Sequence, residues 1–389
     1  MSLRKITAVI TAAAAVLSLS LSAYADNLTY HSGYDRTGLT VSASAAVLIE
    51  ADTGTVLYAK NEKEHRSIAS TTKIMTALLT LEAGELDKRF TVDPIAINVE
   101  GTSMGLKKGD TVTRRALCVG MLLPSGNDAA NAAAVNVAGS MTAFAEMMNK
   151  KAAALGMSDS RFVTPSGLDA DGQYSCAYDM ALLTRYALKN ETFREICGSV
   201  KMQAEYGNPP YLRTLVNSNK LLYSYDGCVG VKTGFTDNAG RTLVSAAERD
   251  GVTLIAVTLN APDDWQDHTA MFDYGFEKVK VTDASYDCSS LRVPVIGGET
   301  DDIGVKAQYP AELPLTDEQR SQVTVTVYLP KFLYAGVIAG DTVGEIRYEL
   351  YGTQLCNVPL LAAESCAAEQ QELSFFAACV KFIRNLLNL

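Results

Sequence analysis

Ser70 and Lys73 are the residues of this sequence whose types and spacing best fit nucleophilic chemistry. They stand three positions apart at the start of an apolar, helix-forming run, so in a helix both side chains share one face. A serine hydroxyl is almost wholly protonated near neutral pH and needs a base within reach, which the lysine amine could supply. Taken alone, the pair is more typical of a helix-capping serine followed by a solvated lysine.

Two other short motifs could join this pair in one site. Ser125-Gly126-Asn127 connects two helix-forming runs. A loop between buried helices holds its polar side chains rigidly, as a catalytic group requires, but the same residue types are ordinary turn formers. Lys232-Thr233-Gly234 ends a strand-forming run that begins at Val229.

The composition argues against several classes of function. Lys and Arg total 34 against 44 Asp and Glu, and the formal charge of −10 argues against nucleic acid as a partner. The three histidines are far apart and form no H-E-x-x-H motif, and the eight cysteines include no C-x-x-C pair. No G-x-S-x-G motif supports a Ser-His-Asp triad. Nothing in the sequence therefore suggests a zinc site.

Residues 1–25 are typical of a secretory signal. Arg4 and Lys5 precede an apolar run from Ile6 to Leu21, and Ala23-Tyr24-Ala25 matches the small-x-small pattern of signal peptidase sites. The alternative is a retained membrane anchor, although the run is short for a full span. We expect an exported protein at the extracytoplasmic face of the cell membrane, in a periplasm or at the cell surface. An even number of cysteines permits disulfides there, with buried free thiols as the alternative.

At 389 residues the chain is expected to form two domains. From 26 to 277, helix-forming runs surround a hairpin pattern at 45–60 and three strand patterns between 229 and 260, whose short turns make them antiparallel. The segment from Glu205 to Pro210 is expected to be a loop. This domain is predicted to be α+β, an antiparallel sheet with helices on both faces. Period-two alternation from 278 to 361 predicts a small all-β, sandwich-like domain.

Residues 362–389 are predicted to form a linker and a terminal amphipathic helix. From Phe375 to Leu389 the sequence places Lys381 and Arg384 on one side of a helix and apolar residues on the other. The segment is too short to span a bilayer, but a basic amphipathic helix suits the outer face of the cytoplasmic membrane. The alternative is a terminal helix docked on its own protein.

The three motifs, in this order on a helix, a loop and a strand, resemble those of the penicillin-recognising serine acyl enzymes, which include penicillin-binding proteins and serine β-lactamases. Within that group the sequence is most similar to the low-molecular-mass penicillin-binding proteins that act as serine-type D-alanyl-D-alanine carboxypeptidases. Thr71 and Ser166 stand where that family often has leucine and histidine. The segments that carry the resemblance are S-T-T-K-I-M-T-A-L, L-L-P-S-G-N-D-A-A-N-A, P-S-G-L, A-Y-D-M-A, N-K-L-L and G-V-K-T-G-F-T-D-N-A-G-R.

The resemblance implies an enzyme that removes the terminal D-alanine from peptidoglycan stem peptides and that β-lactam antibiotics acylate. Ser70 would be the acyl-ester nucleophile and Lys73 the general base. Ser125 would relay the proton to the nitrogen of the leaving D-alanine. No metal or organic cofactor is implied.

The resemblance also assigns substrate-binding residues. Asn127 would hold the substrate amide, and Lys232 and Thr233 would bind the terminal carboxylate. Gly234 would leave room for the substrate to lie along the strand like an added one. The backbone N–H groups of Ser70 and Phe235 would hold the oxyanion.

Two other functions remain as alternatives. A β-lactamase would use the same acylation but would need fast deacylation. Class A enzymes use a glutamate in an E-x-x-L-N loop for that step, and no such loop occurs between Asn127 and Lys232. A non-catalytic module that binds the cell wall through the β domain is the alternative from a different class.

Overall fold

A computed structural model describes residues 38–369 together with Val380, Phe382 and Arg384. These residues divide into two compact units, one of residues 38–249 and 253–275, the other of residues 250–252 and the described residues from 276 onward. The predicted secretory signal and most of the predicted C-terminal helix lie outside the described residues. Within the described residues, no helix is both long enough and apolar enough to cross a bilayer.

The helices, preceded at the first by a 3₁₀ turn (Ala69–Thr72), are α1 (Lys73–Glu82), α2 (Arg114–Leu122), α3 (Asn127–Ala138), α4 (Met141–Ala154), α5 (Ala177–Ala187), α6 (Glu191–Gly198), α7 (Leu221–Ser224), α8 (Asp264–Lys278) and α9 (Asp317–Arg320). The strands are β1 (Ala45–Glu50), β2 (Val56–Lys60), β3 (Arg89–Thr91), β4 (Thr111–Thr113), β5 (Lys201–Gly207), β6 (Pro210–Val216), β7 (Cys228–Thr236), β8 (Gly240–Arg249), β9 (Val252–Leu259), β10 (Val279–Asp283), β11 (Arg292–Ile296), β12 (Asp302–Ala307), β13 (Glu312–Thr316), β14 (Val323–Tyr328), β15 (Leu333–Tyr334), β16 (Thr342–Leu350) and β17 (Thr353–Ala362).

A five-stranded sheet forms the centre of the first unit, in the order β2-β1-β9-β8-β7. β1 pairs antiparallel with β2 and β9, and β7 pairs antiparallel with β8. β1 is buried at every position, as expected for an apolar strand covered on both faces. Helix α5 packs on β1 and α6 packs on β7. The predicted α+β class is confirmed.

Helix α1 lies inside the core of this unit. Every residue from Lys73 to Leu81 is buried, and the helix contacts α2, α3 and α5. A helix that is apolar on all sides belongs in a protein interior. Because the helix lies in the core, Lys73 at its first position is buried with it.

A second sheet of the first unit corrects one sequence expectation. The loop expected from Glu205 to Pro210 is wrong, because β5 and β6 form an antiparallel hairpin in which Gly207 pairs with Pro210. Only Asn208 and Pro209 lie between the two strands. The glycine and prolines that indicated a loop occupy the turn and the strand ends, where proline is tolerated.

The second unit contains a six-stranded sheet in the order β14-β16-β17-β12-β11-β15 and a two-stranded sheet of β10 and β13. β11 pairs parallel with β15 and antiparallel with β12. Along β11 the side chains alternate between exposed and buried, and Val293 and Val295 face the core. The predicted all-β domain is confirmed.

All cysteines in the described residues are free thiols, so for these the alternative of unbridged thiols is the correct one: Cys118, Cys176, Cys197, Cys228, Cys288, Cys356 and Cys366.

Candidate active site

Ser70 lies in the 3₁₀ turn that leads directly into α1. The preceding Ala69 has a φ of 46°, in the left-handed region that residues with a side chain rarely adopt. Gly167 packs directly on this turn, and a Cβ at position 167 would overlap the carbonyl oxygen of Ala69. The unusual backbone before Ser70 is therefore held by a contact that requires glycine.

The Lys73 amine has three polar neighbours. Its Nζ lies 2.8 Å from Ser70 Oγ, 2.7 Å from Asn127 Oδ1 and 2.6 Å from the carbonyl oxygen of Ser166. The predicted nucleophile and base are thus in hydrogen-bond contact. The contact from position 166 comes from the backbone, so it does not depend on the side chain that replaces the family's frequent histidine.

Burial holds the pKa of the Lys73 amine well below its ordinary value, the positive charge of Lys232 lowers this pKa further, and the carboxylate of Asp128 opposes both effects. The net effect shifts the amine toward its neutral form. A neutral amine has two hydrogens and one lone pair. Asn127 Oδ1 and the Ser166 carbonyl oxygen can only accept, so they take the two hydrogens. The lone pair is left for the hydroxyl proton of Ser70.

The segment Ser125-Gly126-Asn127 joins α2 to α3, with Asn127 as the first residue of α3 rather than a loop residue. Ser125 has a φ of 67°, and its carbonyl accepts a hydrogen bond from the Thr102 hydroxyl at 2.6 Å. The Asn127 N–H donates to the Thr102 carbonyl at 2.7 Å, and its side-chain amide donates to the Glu100 carbonyl at 2.7 Å. These contacts fix the backbone of Ser125 and both the backbone and the side chain of Asn127 against residues 100–102.

Lys232, Thr233 and Gly234 lie on β7, the last strand of the five-stranded sheet. The Lys232 side chain is buried and donates to the Thr233 carbonyl at 2.8 Å, and burial lowers its pKa to about 7. A Cβ on Gly234 would overlap the hydroxyl of Thr242 and lie 3.1 Å from the backbone nitrogen of Ser70. Glycine at this position lets the strand pass beside that nitrogen.

One cleft of about 440 Å³ brings the three motifs together. Lys73 and Lys232 are buried beneath it. The other six predicted residues line it directly: Ser70, Ser125, Asn127, Thr233, Gly234 and Phe235. The outer edge of β7 has no strand partner among the described residues, so it remains available for an extended peptide.

Arg241 also lines this cleft, although no role was assigned to it from the sequence. It lies on β8 as the ladder partner of Phe235. Its guanidinium pairs with the buried carboxylate of Asp264 at 2.6 Å and lies 5.6 Å from the ring centre of Trp265. The sequence hinted at Arg241 only by its place at the end of the segment G-V-K-T-G-F-T-D-N-A-G-R. The pairing of β7 with β8 is what brings it to the cleft.

Asp128 is a second residue whose contribution the sequence did not reveal. Its buried carboxylate accepts backbone N–H groups of Met104, Gly105 and Leu106 and the hydroxyl of Ser103. It therefore fixes the loop that packs beside Asn127, and its charge acts on Lys73.

Among the described residues, one group of side chains has the spacing of metal ligands: Asp159, Cys176 and Asp179. Cys176 caps α5 by accepting from the Asp179 N–H, and Asp179 accepts from the Ser160 hydroxyl. None of these residues lines the cleft.

Two family models match the chain. Residues 33–263 match the model of D-alanyl-D-alanine carboxypeptidases, and residues 276–368 match the model of the C-terminal domain of penicillin-binding protein 5.

Similar proteins cover most of the chain. The D-alanyl-D-alanine carboxypeptidase DacF of Bacillus subtilis is 33% identical over 340 residues, which are 83% of this chain and 85% of that protein. DacC of Escherichia coli is 31% identical over 88% of both chains.

Solved structures of similar proteins match this chain as well. The S96A mutant of the Streptomyces K15 DD-transpeptidase matches with a TM-score of 0.58 and 33% identity, over 62% of this chain and all of that one. Penicillin-binding protein 5 of Haemophilus influenzae matches with a TM-score of 0.62 and 25% identity, over 85% of this chain and 99% of that one. Ser70 and Lys73 are in contact beside a K-T-G strand, and both domains match in order. This chain therefore belongs to the D-alanyl-D-alanine carboxypeptidase family.

Proposed function

We propose that this protein is a serine-type D-alanyl-D-alanine carboxypeptidase that removes the terminal D-alanine from peptidoglycan stem peptides. The observation that carries the proposal is the environment of Lys73. Its amine is buried, its pKa is lowered, and its two hydrogens have acceptors in Asn127 and Ser166. The nitrogen, which keeps one lone pair, lies 2.8 Å from Ser70 Oγ, within the reach that a general base needs.

Acylation begins when Ser70 Oγ attacks the carbonyl carbon between the last two D-alanines. The Ser70 proton passes to Lys73, and the carbonyl oxygen takes up the negative charge. We assign the oxyanion to the backbone N–H groups of Ser70 and Phe235. Support comes from the close passage of β7 beside the Ser70 nitrogen, which Gly234 permits.

Collapse of this intermediate breaks the carbon–nitrogen bond and leaves an ester on Ser70. The departing nitrogen needs a proton, which Ser125 relays from Lys73. The position of Ser125 in the wall of the same cleft, on a segment fixed by Thr102, supports this role. Asn127 both accepts from Lys73 and carries an amide nitrogen that can hold the substrate.

The terminal carboxylate of the substrate lies against β7. Thr233 offers a hydroxyl there, and Lys232 supplies a positive charge when it is protonated. Because burial lowers the pKa of Lys232 to about 7, it is only partly charged near neutral pH. The guanidinium group of Arg241 lines the same cleft, so we assign it a share in carboxylate binding.

Water then attacks the ester carbon, the bond to Ser70 Oγ breaks, and the shortened peptide leaves. β-Lactams acylate the same serine, as the similarity to penicillin-binding proteins supports. Peptidoglycan lies outside the cytoplasm, so the enzyme acts there after export. We also propose that the C-terminal helix rests on the outer face of the cytoplasmic membrane. Val380 and Phe382 are helical and exposed, which supports apolar side chains that can contact a bilayer.

One preparation of residues 26–389 tests the reaction. A pentapeptide stem ending in D-Ala-D-Ala is incubated with wild type, with Ser70→Ala and with the matched control Ser67→Ala, whose hydroxyl bonds to Asp169 outside the reaction path. Free D-alanine is the readout. Wild type and Ser67→Ala release it, and Ser70→Ala does not.

A second arm gives the same proteins a penicillin and follows the mass of the adduct. A penicilloyl group that stays on Ser70 excludes a β-lactamase, whereas rapid loss of the adduct would favour one. A wild type that releases no D-alanine, or a Ser70→Ala variant that still does, contradicts the proposal.

A further inference from the structure

An exposed apolar cluster lies at one edge of the β domain. Ile296 at the end of β11 pairs with Tyr334 on β15, and both side chains are exposed, Ile296 by 49% and Tyr334 by 71%. The ring of Phe332 lies 5.4 Å from that of Tyr334 and is also exposed. We call Ile296, Phe332 and Tyr334 the edge patch.

The chain leaves the β domain beside this patch. The N–H of Glu369, the last residue of the continuous described chain, donates to the carbonyl of Gly297, the neighbour of Ile296. Ala368 forms a bridge with Gly298, and Cys366 forms one with Val337. The segment that follows therefore starts at the edge patch.

That segment is apolar and carries positive charge. Residues 370–389 contain Lys381 and Arg384, and their apolar residues include Val380 and Phe382. These two are exposed and lie in helical backbone. Only ten residues separate Glu369 from Val380. Even fully extended, these residues span at most about 40 Å, so a surface that takes up the C-terminal helix lies within that distance of the edge patch.

We propose that the edge patch is a second membrane contact, which inserts into the interface of the bilayer on which the C-terminal helix lies. Tyrosine and phenylalanine beside an aliphatic side chain suit the interface between headgroups and acyl chains, where an aromatic ring can be half solvated. Lys331 adjoins the patch and is exposed. Glu299 and Asp301 follow Ile296 in the next turn, so the binding energy comes from apolar insertion rather than from net charge.

The proposal rests on the membrane placement in the proposed function. It adds that the β domain contacts the bilayer through both the C-terminal helix and the edge patch, instead of through the helix alone. Two contacts on one domain restrict its rotation relative to the membrane. A single helix at the end of a linker would not.

Vesicle flotation tests it with residues 26–389 and vesicles of phosphatidylcholine and phosphatidylglycerol in equal parts. The patch variant is Ile296→Ser with Tyr334→Ser. The matched control is Ile95→Ser with Tyr211→Ser, which removes the same residue types at exposed positions of the first unit, outside the cleft. We expect the patch variant to lose about tenfold in vesicle partitioning and the control to bind like wild type.

A reporter variant measures insertion directly. The chain has a single tryptophan, so Tyr334→Trp in a Trp265→Phe background leaves one indole, at the patch. We expect its emission to shift to the blue with vesicles and to be quenched by brominated lipid. No shift, or a patch variant that binds like wild type, overturns the proposal.

Two further outcomes also overturn it and point to different causes. If wild type does not float with vesicles, the membrane placement itself is wrong, while release of D-alanine from a soluble peptide still tests the enzyme separately. If wild type sediments as a dimer without vesicles and the patch variant as a monomer, the patch joins two copies of this chain.

Discussion

The Lys73 amine lies 2.8 Å from the Ser70 hydroxyl oxygen, and its two other polar neighbours, Asn127 Oδ1 and the Ser166 carbonyl oxygen, can only accept hydrogen bonds. A protonated lysine would have to direct its third hydrogen at Ser70 and could not take the hydroxyl proton. Burial and the charge of Lys232 favour the neutral form, which can. The arrangement therefore orients the base as well as placing it.

Asn127→Asp should shift the pH dependence of acylation. Lys73 acts as a base when neutral, so activity is present above its pKa and is lost as pH falls through that value. A carboxylate in place of the amide oxygen at 2.7 Å would raise this pKa, and each unit of upward shift costs about tenfold in rate below it. The measurement is kcat/KM for D-alanine release against pH. The exposed Asn98→Asp serves as control, and an ascending limb at the wild-type position would contradict the prediction.

Ser166→Ala and Gly167→Ala should behave in opposite ways. Position 166 contacts Lys73 through its backbone carbonyl, so removal of the side-chain hydroxyl leaves D-alanine release near wild type. A Cβ at position 167 would overlap the Ala69 carbonyl and sit at a φ of 84°. We expect a loss of about 1–3 kcal/mol in the free energy of unfolding and a large loss of acylation. Chemical denaturation and penicillin labelling measure the two effects, and equal behaviour of the two variants would count against this account of the turn.

Gly234→Ala should slow acylation about 100-fold, because its Cβ would push β7 away from the Ser70 nitrogen. Thr242→Ala removes the hydroxyl that this Cβ would overlap, so the double variant should recover part of the loss. The readout is the rate of penicilloyl adduct formation in a double-mutant cycle. Strictly additive effects would show that the overlap with Thr242 does not cause the defect.

Arg241→Gln should raise KM for a peptide with a free terminal carboxylate about tenfold, because the substitution removes the guanidinium group from the cleft wall. A peptide with a terminal amide should be hydrolysed as poorly by the variant as by wild type. Arg249→Gln, at the other end of β8, is the matched control. If Arg241→Gln slows the hydrolysis of both peptides equally, Arg241 has a structural role instead.

Lys232 should produce a descending limb in kcat/KM near its pKa of about 7. Its protonated form attracts the substrate carboxylate, so this attraction is present at lower pH and is lost as pH rises through the pKa. Together with the ascending limb of Lys73, the profile should be bell-shaped. The same profile measured with the amide-ended peptide should lack the descending limb, and a limb common to both peptides would assign it to another group.

The sequence by itself identified the candidate site residues, because they fall into three short motifs. Ser70 with Lys73, Ser125 with Asn127, and the K-T-G strand are each encoded within a few positions. Their helices and strands follow from short-range periodicity, and so do the antiparallel strands β7 to β9 and the alternating strands of the β domain. Where local signals were ambiguous, as in the glycine and proline residues around 205–210, the expected loop was wrong because a hairpin uses the same residue types.

Only the tertiary structure decided the electrostatic environment and the hydrogen bonds of the site. The lowered pKa of Lys73 depends on burial and on Lys232, 159 positions away in the chain. Its two hydrogen-bond acceptors, Asn127 and the Ser166 carbonyl, come from two other segments. Arg241 reaches the cleft because β8 pairs with β7. Burial and charge act through space and depend on contacts between distant segments, whereas a motif records only neighbours along the chain.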